Sequence, residues 1–309
     1  MHQLWTWVFE PGLFSSQPVR VAAIIGGAVA LVSAVTGVFT VMRGQSFGGH
    51  ALGDVSAAGG SGALLAGLNP LAGFVSLGIV GAGVMDMIGV QRVRSRDLAT
   101  GIVLGAAIGL SALFLYLEAV SGATTGAPAQ ILFGSIFTVS PSMIPAVVAL
   151  GAIALAAVAV TWRPLLLTTV STDIAAARGA RVRLTGLVFM LALAVSVGLS
   201  SLAVGAILST ALLIGPAATA LRLTKAVGRA VAAACLLGVG ATWLGILLAY
   251  DSYYWGSSHQ GLPVSFFIVA VIFVGYLLSG LAAAWPAARR RQPAATPPAK
   301  AQARDKVAA

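Results

Sequence analysis

Charged residues are scarce in this sequence, and their scarcity excludes a water-soluble enzyme. Only 8% of the 309 residues are Asp, Glu, Lys or Arg, whereas 59% are hydrophobic. A soluble domain carries about 25% charged residues, so this chain lacks the polar side chains that would cover a globular surface. An intrinsically disordered chain is excluded as well, because disorder requires low hydrophobicity and high net charge.

The sequence also contains only one cysteine and no P-loop motif for nucleotide binding. Cys235 is the single cysteine and lies inside an apolar run, which excludes a disulfide framework and a cysteine zinc cluster. No G-x-x-x-x-G-K-[ST] sequence occurs, so the chain has no P-loop that would bind ATP. Three histidines and eight acidic residues leave few candidates for hydrolytic or redox chemistry.

Long apolar runs make up most of the chain and predict an all-α polytopic membrane protein. The runs are continuous, which is typical of helices that cross about 30 Å of hydrocarbon and not of an outer-membrane barrel. The second and seventh are short and rich in small residues, so we expect them to lie among other helices. We predict about nine transmembrane helices, near residues 19–41, 50–67, 70–90, 98–119, 143–162, 184–201, 203–221, 227–250 and 263–284.

Basic residues cluster between the predicted helices, and this pattern predicts an orientation. With nine helices and an outside N-terminus, 17 of the 18 Lys and Arg residues lie inside, and only Arg20 lies outside. Cytoplasmic loops carry such an excess of positive charge, so we expect an inside C-terminus and a multi-pass protein of the plasma (inner) membrane, without a nucleic-acid partner. An eight-helix alternative, which fuses residues 184–221, would place basic residues 222–229 opposite residues 163–183.

The chain divides into three segments. Residues 1–18 contain several aromatic side chains and little positive charge, which indicates an interfacial segment at headgroup level. Residues 19–284 form the transmembrane domain. Residues 285–309, with Pro, Ala and scattered charge, are expected to be a disordered cytoplasmic tail.

Ionisable residues inside transmembrane helices are rare and usually functional, which makes His50 and Asp54 the first candidate site. Four residues apart on a helix, they share one face. Imidazole nitrogen and carboxylate oxygen both suit Zn, Mn or Fe, so the pair is a candidate transition-metal site in a glycine-rich helix. The alternative interpretation is a structural hydrogen bond in which Asp54 fixes the imidazole tautomer.

Other polar residues lie at the ends of the predicted helices. Asp86 and Glu118 can reach the membrane interface, so we expect structural or interfacial roles for both. The outside loop that follows residue 250 is either an aromatic-belt loop or a docking surface, with Tyr253, Tyr254, Trp255 and His259 as its candidate residues.

Residues 163–183 form the largest predicted inside segment and contain the signals of a short helix. Ser171, Thr172 or Asp173 is the candidate N-cap, an Ala-rich stretch follows, and Gly179 ends the helix. A helix of two turns is not stable alone, so it requires a partner. That partner is either the membrane domain of this chain or a soluble subunit.

Four stretches occur in the same order as in one known family. Residues 43–59 begin with Arg-Gly and surround His50 and Asp54, residues 130–140 read QILFGSIFTVS, residues 173–179 run from Asp173 to Gly179, and residues 205–220 read GAILSTALLIGPAATA. Together they resemble the permease subunits of the ABC-3 family, the ABC importers of zinc, manganese and iron, over about residues 15–284. The last stretch is the most specific of the four.

The His50/Asp54 pair differs from the family pattern in its order. In many family members the carboxylate comes first and the histidine follows four residues later, whereas here His50 precedes Asp54. The exchange keeps one nitrogen and one oxygen ligand, so the resemblance still implies a transient transport site for a divalent metal at these two residues.

The resemblance also implies the partners of the chain. These are a second permease copy, a cytoplasmic ABC ATPase dimer that binds the ATP, and an extracytoplasmic metal-binding protein. No cofactor would stay bound, because the metal is cargo. In that setting ATPase coupling falls to Asp173, Ala177, Arg178 and Gly179, the structural pathway includes Pro216, and the loop with Tyr253, Tyr254, Trp255 and His259 becomes a docking surface for the binding protein.

Two other functions remain open at the level of sequence. An ABC permease for a metal chelate or a small organic cargo would have similar apolar helices and a coupling helix, but would not need the His50/Asp54 pair. An ion-coupled secondary transporter would require several buried carboxylates and a detectable repeat, and the sequence offers few of either.

Overall fold

The computed structural model describes residues 16–88, 96–121, 126–134, 136–253 and 261–290. Within these ranges the chain forms α-helices and two short 3-10 helices and no β-strand. The α-helices are α1 (Gln17–Met42), α2 (Ser46–Leu65), α3 (Pro70–Ile88), α4 (Arg96–Ser121), α5 (Ala127–Phe133), α6 (Ile144–Val160), α7 (Trp162–Val170), α8 (Thr172–Ala177), α9 (Val182–Val204), α10 (Ala206–Leu223), α11 (Val227–Ser252) and α12 (Val264–Arg290).

Membrane-length apolar helices dominate the described part of the chain, which confirms an all-α polytopic membrane protein. Eight helices there are long and apolar enough to cross a bilayer. They are Gln17–Met42, Pro70–Ile88, Thr100–Ser121, Pro141–Val160, Val182–Val204, Ala206–Leu223, Val227–Ser252 and Val264–Leu281. Each coincides with one of the predicted helices to within a few residues.

The ninth predicted helix is α2, which is formed but differs in character from the other eight. It has 20 residues, enough for about 30 Å at 1.5 Å per residue, and its Gly, Ser, Ala, His and Asp content lowers its hydropathy. Thirteen of its residues are buried, and it lies among α3, α4, α9 and α10. A helix enclosed by protein does not need lipid-facing apolar side chains, so the position of α2 permits its composition.

The eight-helix alternative is wrong in the form in which we stated it, because α9 and α10 are separate helices. Val197 of α9 and Ser209 of α10 lie 3.3 and 3.2 Å from the Cβ position of Gly53 in α2. In one continuous helix these two residues would stand about 18 Å apart. The chain therefore reverses at Gly205, and α10 also contacts α1, α11 and α12, as expected for a helix among other helices.

Buried hydroxyl groups join α1 to α9 at the centre of the bundle. Ser33 and Ser200 are hydrogen-bonded at 2.6 Å, and Thr36 and Ser196 at 2.8 Å. Such bonds between membrane helices contribute about 0.6 to 2 kcal/mol each. They fix the register of the two helices around which the other helices are arranged.

The chain ends lie mostly outside the described residues. The predicted interfacial segment at residues 1–18 falls there except for its last three residues, of which two begin α1. At the other end α12 continues to Arg290, six residues into the predicted tail, and residues 291–309 are not described. The orientation of the termini stays a prediction.

Candidate metal site and coupling segment

Helix α2 carries the candidate site and crosses α3 at backbone contact. A Cβ atom at Gly59 would lie 2.1 Å from the carbonyl oxygen of Gly73, and one at Gly73 would lie 2.2 Å from that of Gly59. Any larger side chain at either position would force the two helices apart. The glycine content of α2 therefore serves the close packing that holds His50 and Asp54 in place.

His50 lies near the start of α2, and its ring is oriented by a neighbour on another helix. Its Nδ1 atom is 2.9 Å from the hydroxyl oxygen of Thr210 on α10. When Nδ1 carries the proton and donates it to this oxygen, the lone pair of the imidazole is on Nε2. Hydrogen bonds of this kind orient the metal-binding histidines of known sites.

Asp54 faces the Nε2 atom of His50 across a gap that is too wide for a hydrogen bond. The distance from Nε2 to Oδ2 of Asp54 is 3.7 Å, beyond the 2.7–3.2 Å of ordinary N–H···O bonds. Two atoms that bind one ion at about 2.1 Å each stand about 3.4 Å apart at the tetrahedral angle and at most about 4.2 Å apart. The separation is compatible with two ligands of one metal ion, and it is also within ion-pair distance.

The pair is partly open and has few potential ligands around it. The side chain of His50 is 39% exposed and that of Asp54 is 17% exposed. Among the described residues, no cluster of three or more His, Cys, Asp or Glu side chains could hold a metal ion. One chain thus supplies two ligands at this position, and further ligands would have to come from water or from another chain.

Thr210 was missed by the sequence analysis. It lies 160 positions from His50 in the chain, and no spacing rule joins the two residues. The only available signal was its place within the stretch of residues 205–220 that carries the family resemblance. Ser111 of α4 adds a second neighbour by donating a hydrogen bond of 3.4 Å to the backbone carbonyl of Asp54.

Asp86 and Glu118, the other two carboxylates that the sequence analysis considered, do not join the pair. Asp86 is partly buried near the end of α3, where we expected it. Glu118 is only 1% exposed, so its carboxylate lies inside the protein, and its depth in the membrane stays a prediction. Most of α4 is exposed around it, which shows that the helix turns its one buried carboxylate towards the other helices.

The predicted coupling segment forms α7 and α8, and α8 begins and ends as its sequence predicts. The hydroxyl of Ser171 accepts a hydrogen bond of 3.3 Å from the backbone N–H of Ile174, so Ser171 is the N-cap among the three candidates. Gly179 follows the C-cap Arg178 with φ of 78°, in the left-handed region that favours glycine. Helix α7 was not predicted, and it extends the segment back to Trp162.

Some residues of this segment are buried against the rest of the chain, and others are exposed. Ala175 is fully buried and fixes α8 against the membrane domain. Val170 and Ile174 are 84% and 54% exposed, and the four predicted coupling residues Asp173, Ala177, Arg178 and Gly179 are exposed too. The short helix therefore rests on its own chain and presents apolar and charged groups outward.

Pro216 and the predicted docking loop complete the candidate residues. Pro216 is buried inside α10, where it removes one backbone hydrogen bond, and its ring lies 3.6 Å from the Cβ position of Gly238 on α11. Tyr253 is 46% exposed at the end of α11. The other docking candidates, Tyr254, Trp255 and His259, lie outside the described residues.

Known proteins similar to this chain are membrane subunits of metal transport systems. The manganese import system permease protein ScaB of Streptococcus gordonii is 27% identical over 243 residues, which cover 79% of this chain and 86% of that protein. The high-affinity zinc uptake system membrane protein ZnuB of Haemophilus influenzae is 26% identical over 236 residues, 75% of this chain and 88% of that protein.

A solved structure and a family model are similar to this chain over most of its length. The complex of PsaBC from Streptococcus pneumoniae with Fab contains a chain with a TM-score of 0.74 and 25% identity, covering 87% of this chain and 92% of that one. The model of the ABC 3 transport family matches residues 15–284. The chain therefore belongs to the ABC 3 transport family and is an integral membrane transport subunit of the plasma membrane.

Proposed function

We propose that this chain is the permease subunit of an ATP-driven importer of a divalent transition-metal ion, and that His50 and Asp54 bind the ion during its passage. The observation that carries the proposal is the 3.7 Å separation of Nε2 and Oδ2, with Nδ1 held by Thr210. The relatives named for manganese and zinc transport support the same cargo class.

The ligand set suits transport better than storage. A structural zinc site holds its ion with four protein ligands, often cysteines, and closes around it. Here one chain supplies two ligands, and His50 keeps 39% of its side chain exposed. In a two-fold permease dimer, two copies would supply two nitrogens and two oxygens, a set that binds Zn, Mn or Fe and allows release.

The energy source belongs to other subunits in this proposal. A cytoplasmic dimer of ABC ATPase subunits binds and hydrolyses ATP, since the sequence contains no P-loop. Helix α8 docks on that dimer through Asp173, Ile174 and Arg178, and the exposure of these residues supports this role. An extracytoplasmic metal-binding protein delivers the ion at the opposite face, where the loop after Tyr253 is its docking candidate.

Substitution of the two ligands tests the proposal. His50→Ala and Asp54→Ala should each abolish metal uptake in proteoliposomes that contain the ATPase subunits, while the permease still folds and assembles. Asp97→Ala is the matched control, because Asp97 is an exposed carboxylate in the first turn of α4. The exchanged double variant H50D/D54H should retain some uptake, because it keeps one nitrogen and one oxygen ligand.

The opposite result is equally specific. If both alanine variants take up metal at the parental rate, the His50/Asp54 pair has a structural role only. Uptake of an organic cargo or a metal chelate by those variants, without uptake of the free ion by the parental complex, would favour the other ABC cargo class.

A further inference from the structure

Arg43, at the C-terminal end of α1, joins three helices through its guanidinium group. Its Nη1 atom donates a hydrogen bond of 2.9 Å to the hydroxyl oxygen of Thr168 on α7. The Thr168 hydroxyl itself donates to the carbonyl of Leu165 at 3.0 Å, which leaves its oxygen to accept from Arg43. The guanidinium carbon also lies 5.4 Å from the ring centre of Phe189 on α9, within cation–π range.

Aromatic side chains pack beside this arginine and join the same helices. The ring of Phe39 on α1 stands edge-on to that of Trp162 at 5.0 Å between centroids and to that of Phe189 at 6.3 Å. Phe39 and Phe189 are fully buried. We call Phe39, Arg43, Trp162, Thr168 and Phe189 the Arg43 cluster.

A rigid turn connects the Arg43 cluster to the candidate metal site. The backbone N–H of Gly44 donates to the carbonyl of Val41 at 3.1 Å, and that of Gln45 donates to the carbonyl of Thr40 at 2.9 Å. These two bonds form a Schellman motif, which closes α1 and leads directly into α2 at Ser46. His50 follows four residues later, so a displacement of Arg43 is carried to the start of the site helix.

On its other side the Arg43 cluster reaches the coupling segment. Trp162 and Thr168 belong to α7, and Ser171 alone separates α7 from α8. Ser171 is also the N-cap of α8, and α7 and α8 pack against each other. A movement imposed on α8 by an ATPase subunit would therefore reach Thr168 within one turn.

We infer that Arg43 is a positioning residue for metal transport: the Arg43 cluster transmits the displacement of α7 and α8 to α2 and thereby changes the metal affinity of the His50/Asp54 site. The inference rests on the proposed function. Because hydrogen-bonded and packed elements connect both ends, the affinity of the site for metal depends on the nucleotide state of the ATPase, and by linkage metal binding changes the nucleotide affinity by the same factor.

The test measures metal binding in two nucleotide states. The permease is purified with its ATPase subunits in lipid nanodiscs, and Mn²⁺ and Zn²⁺ affinities are measured without nucleotide and with ATP under non-hydrolysing conditions. In the parental complex we expect the two states to differ in affinity by about 5- to 150-fold, the usual range for coupled sites. In Arg43→Met, which keeps a long apolar stem and loses the donors, the two states should bind metal with equal affinity.

Three further variants separate transmission from simple bracing of the fold. Thr168→Val removes the acceptor of the Arg43 hydrogen bond together with the Thr168–Leu165 bond within α7, should reduce the nucleotide dependence in the same way, and keeps the test available if Arg43→Met fails to fold. The double variant R43M/T168V should lose no more nucleotide dependence than Arg43→Met alone, because Arg43→Met already removes the hydrogen bond to Thr168 and the cation–π contact with Phe189. Arg222→Met is the matched control, since Arg222 also stacks on a ring, that of Tyr276, but between α10 and α12.

The outcomes of this test distinguish the inference from the proposed function on which it rests. If Arg43→Met and Thr168→Val keep the parental nucleotide dependence, the inference is overturned and the proposed function stands. It is also overturned if Arg222→Met removes the dependence equally, or if the parental complex binds metal equally in both states. A parental complex that binds no metal in either state refutes the proposed function, and with it the inference.

Discussion

Thr210 offers the sharpest single-residue test of the metal site, because its hydroxyl can be removed without a change of volume. Thr210→Val keeps the branched shape and removes the oxygen that lies 2.9 Å from Nδ1 of His50. The ring then loses the hydrogen bond that keeps the Nε2 lone pair towards Asp54. We expect metal binding to weaken while the two ligands themselves remain.

The magnitude follows from the value of one hydrogen bond. A neutral hydrogen bond contributes about 0.5–1.5 kcal/mol net, which corresponds to about 2- to 12-fold in affinity for each protomer. If two protomers bind one ion, the two losses multiply, and the metal affinity falls by about 5- to 140-fold. Since 39% of the His50 side chain is exposed, water can replace part of the lost bond. We therefore expect a loss in the lower part of this range, about 5- to 20-fold.

Equilibrium binding of Mn²⁺ or Zn²⁺ to the purified permease in nanodiscs measures this loss. Thr210→Ser should bind like the parental protein, because it keeps the hydroxyl. Thr219→Val on the same helix is the matched control, since the Thr219 hydroxyl donates to the carbonyl of Gly215 within α10 at 2.8 Å. Equal affinities for Thr210→Val and Thr210→Ser would refute the role of the hydroxyl in orienting His50.

Three other predictions address packing, coupling and orientation. Gly59→Ala should destabilise the protein by about 1–3 kcal/mol, because its methyl carbon would lie 2.1 Å from the carbonyl oxygen of Gly73. Thermal unfolding in detergent should show this loss as a lower midpoint. Gly105→Ala, whose methyl carbon would meet no neighbouring atom within 4 Å, should leave the midpoint unchanged. Gly179→Leu places a bulky side chain at φ of 78°, which costs about 1–2 kcal/mol. Metal uptake per ATP hydrolysed should therefore fall while the subunits still assemble. Normal coupled uptake would count against the coupling role. Reporter fusions after Arg94 and after Gly256 should give opposite signals, and equal signals would contradict the predicted orientation.

The apolar pattern of the sequence was sufficient for the membrane-spanning architecture but not for its inner helix. Eight helices are apolar over a length that crosses a bilayer, and hydropathy finds such helices directly. Helix α2 was predicted from a weaker pattern of small residues, four residues late at its start, since residues 46–49 precede the predicted range. Its burial comes from contacts with distant helices, and no local pattern encodes those contacts.

Short helices and contacts between residues far apart in the sequence were the features that sequence reasoning missed. Helices α5 and α7 have 7 and 9 residues, too short for a periodic pattern to separate them from loops. In contrast, α8 was predicted at its correct place because Ser171 and Gly179 carry local capping signals. Thr210 and Arg43 act through neighbours more than 100 positions away, so only the tertiary structure joins them to His50 and Thr168.

The exchanged order of histidine and carboxylate is compatible with the surroundings of the pair. Position 50 lies beside a threonine hydroxyl, which can accept from an imidazole N–H or donate to a carboxylate. Position 54 lies four residues later, about 6 Å along the helix axis, where Ser111 of α4 donates to its backbone carbonyl. Either residue type at position 50 would thus find a partner at Thr210. The order of the two ligands can therefore change while the hydrogen bond that orients the site is kept, and this is the physical reason to expect uptake by the exchanged variant.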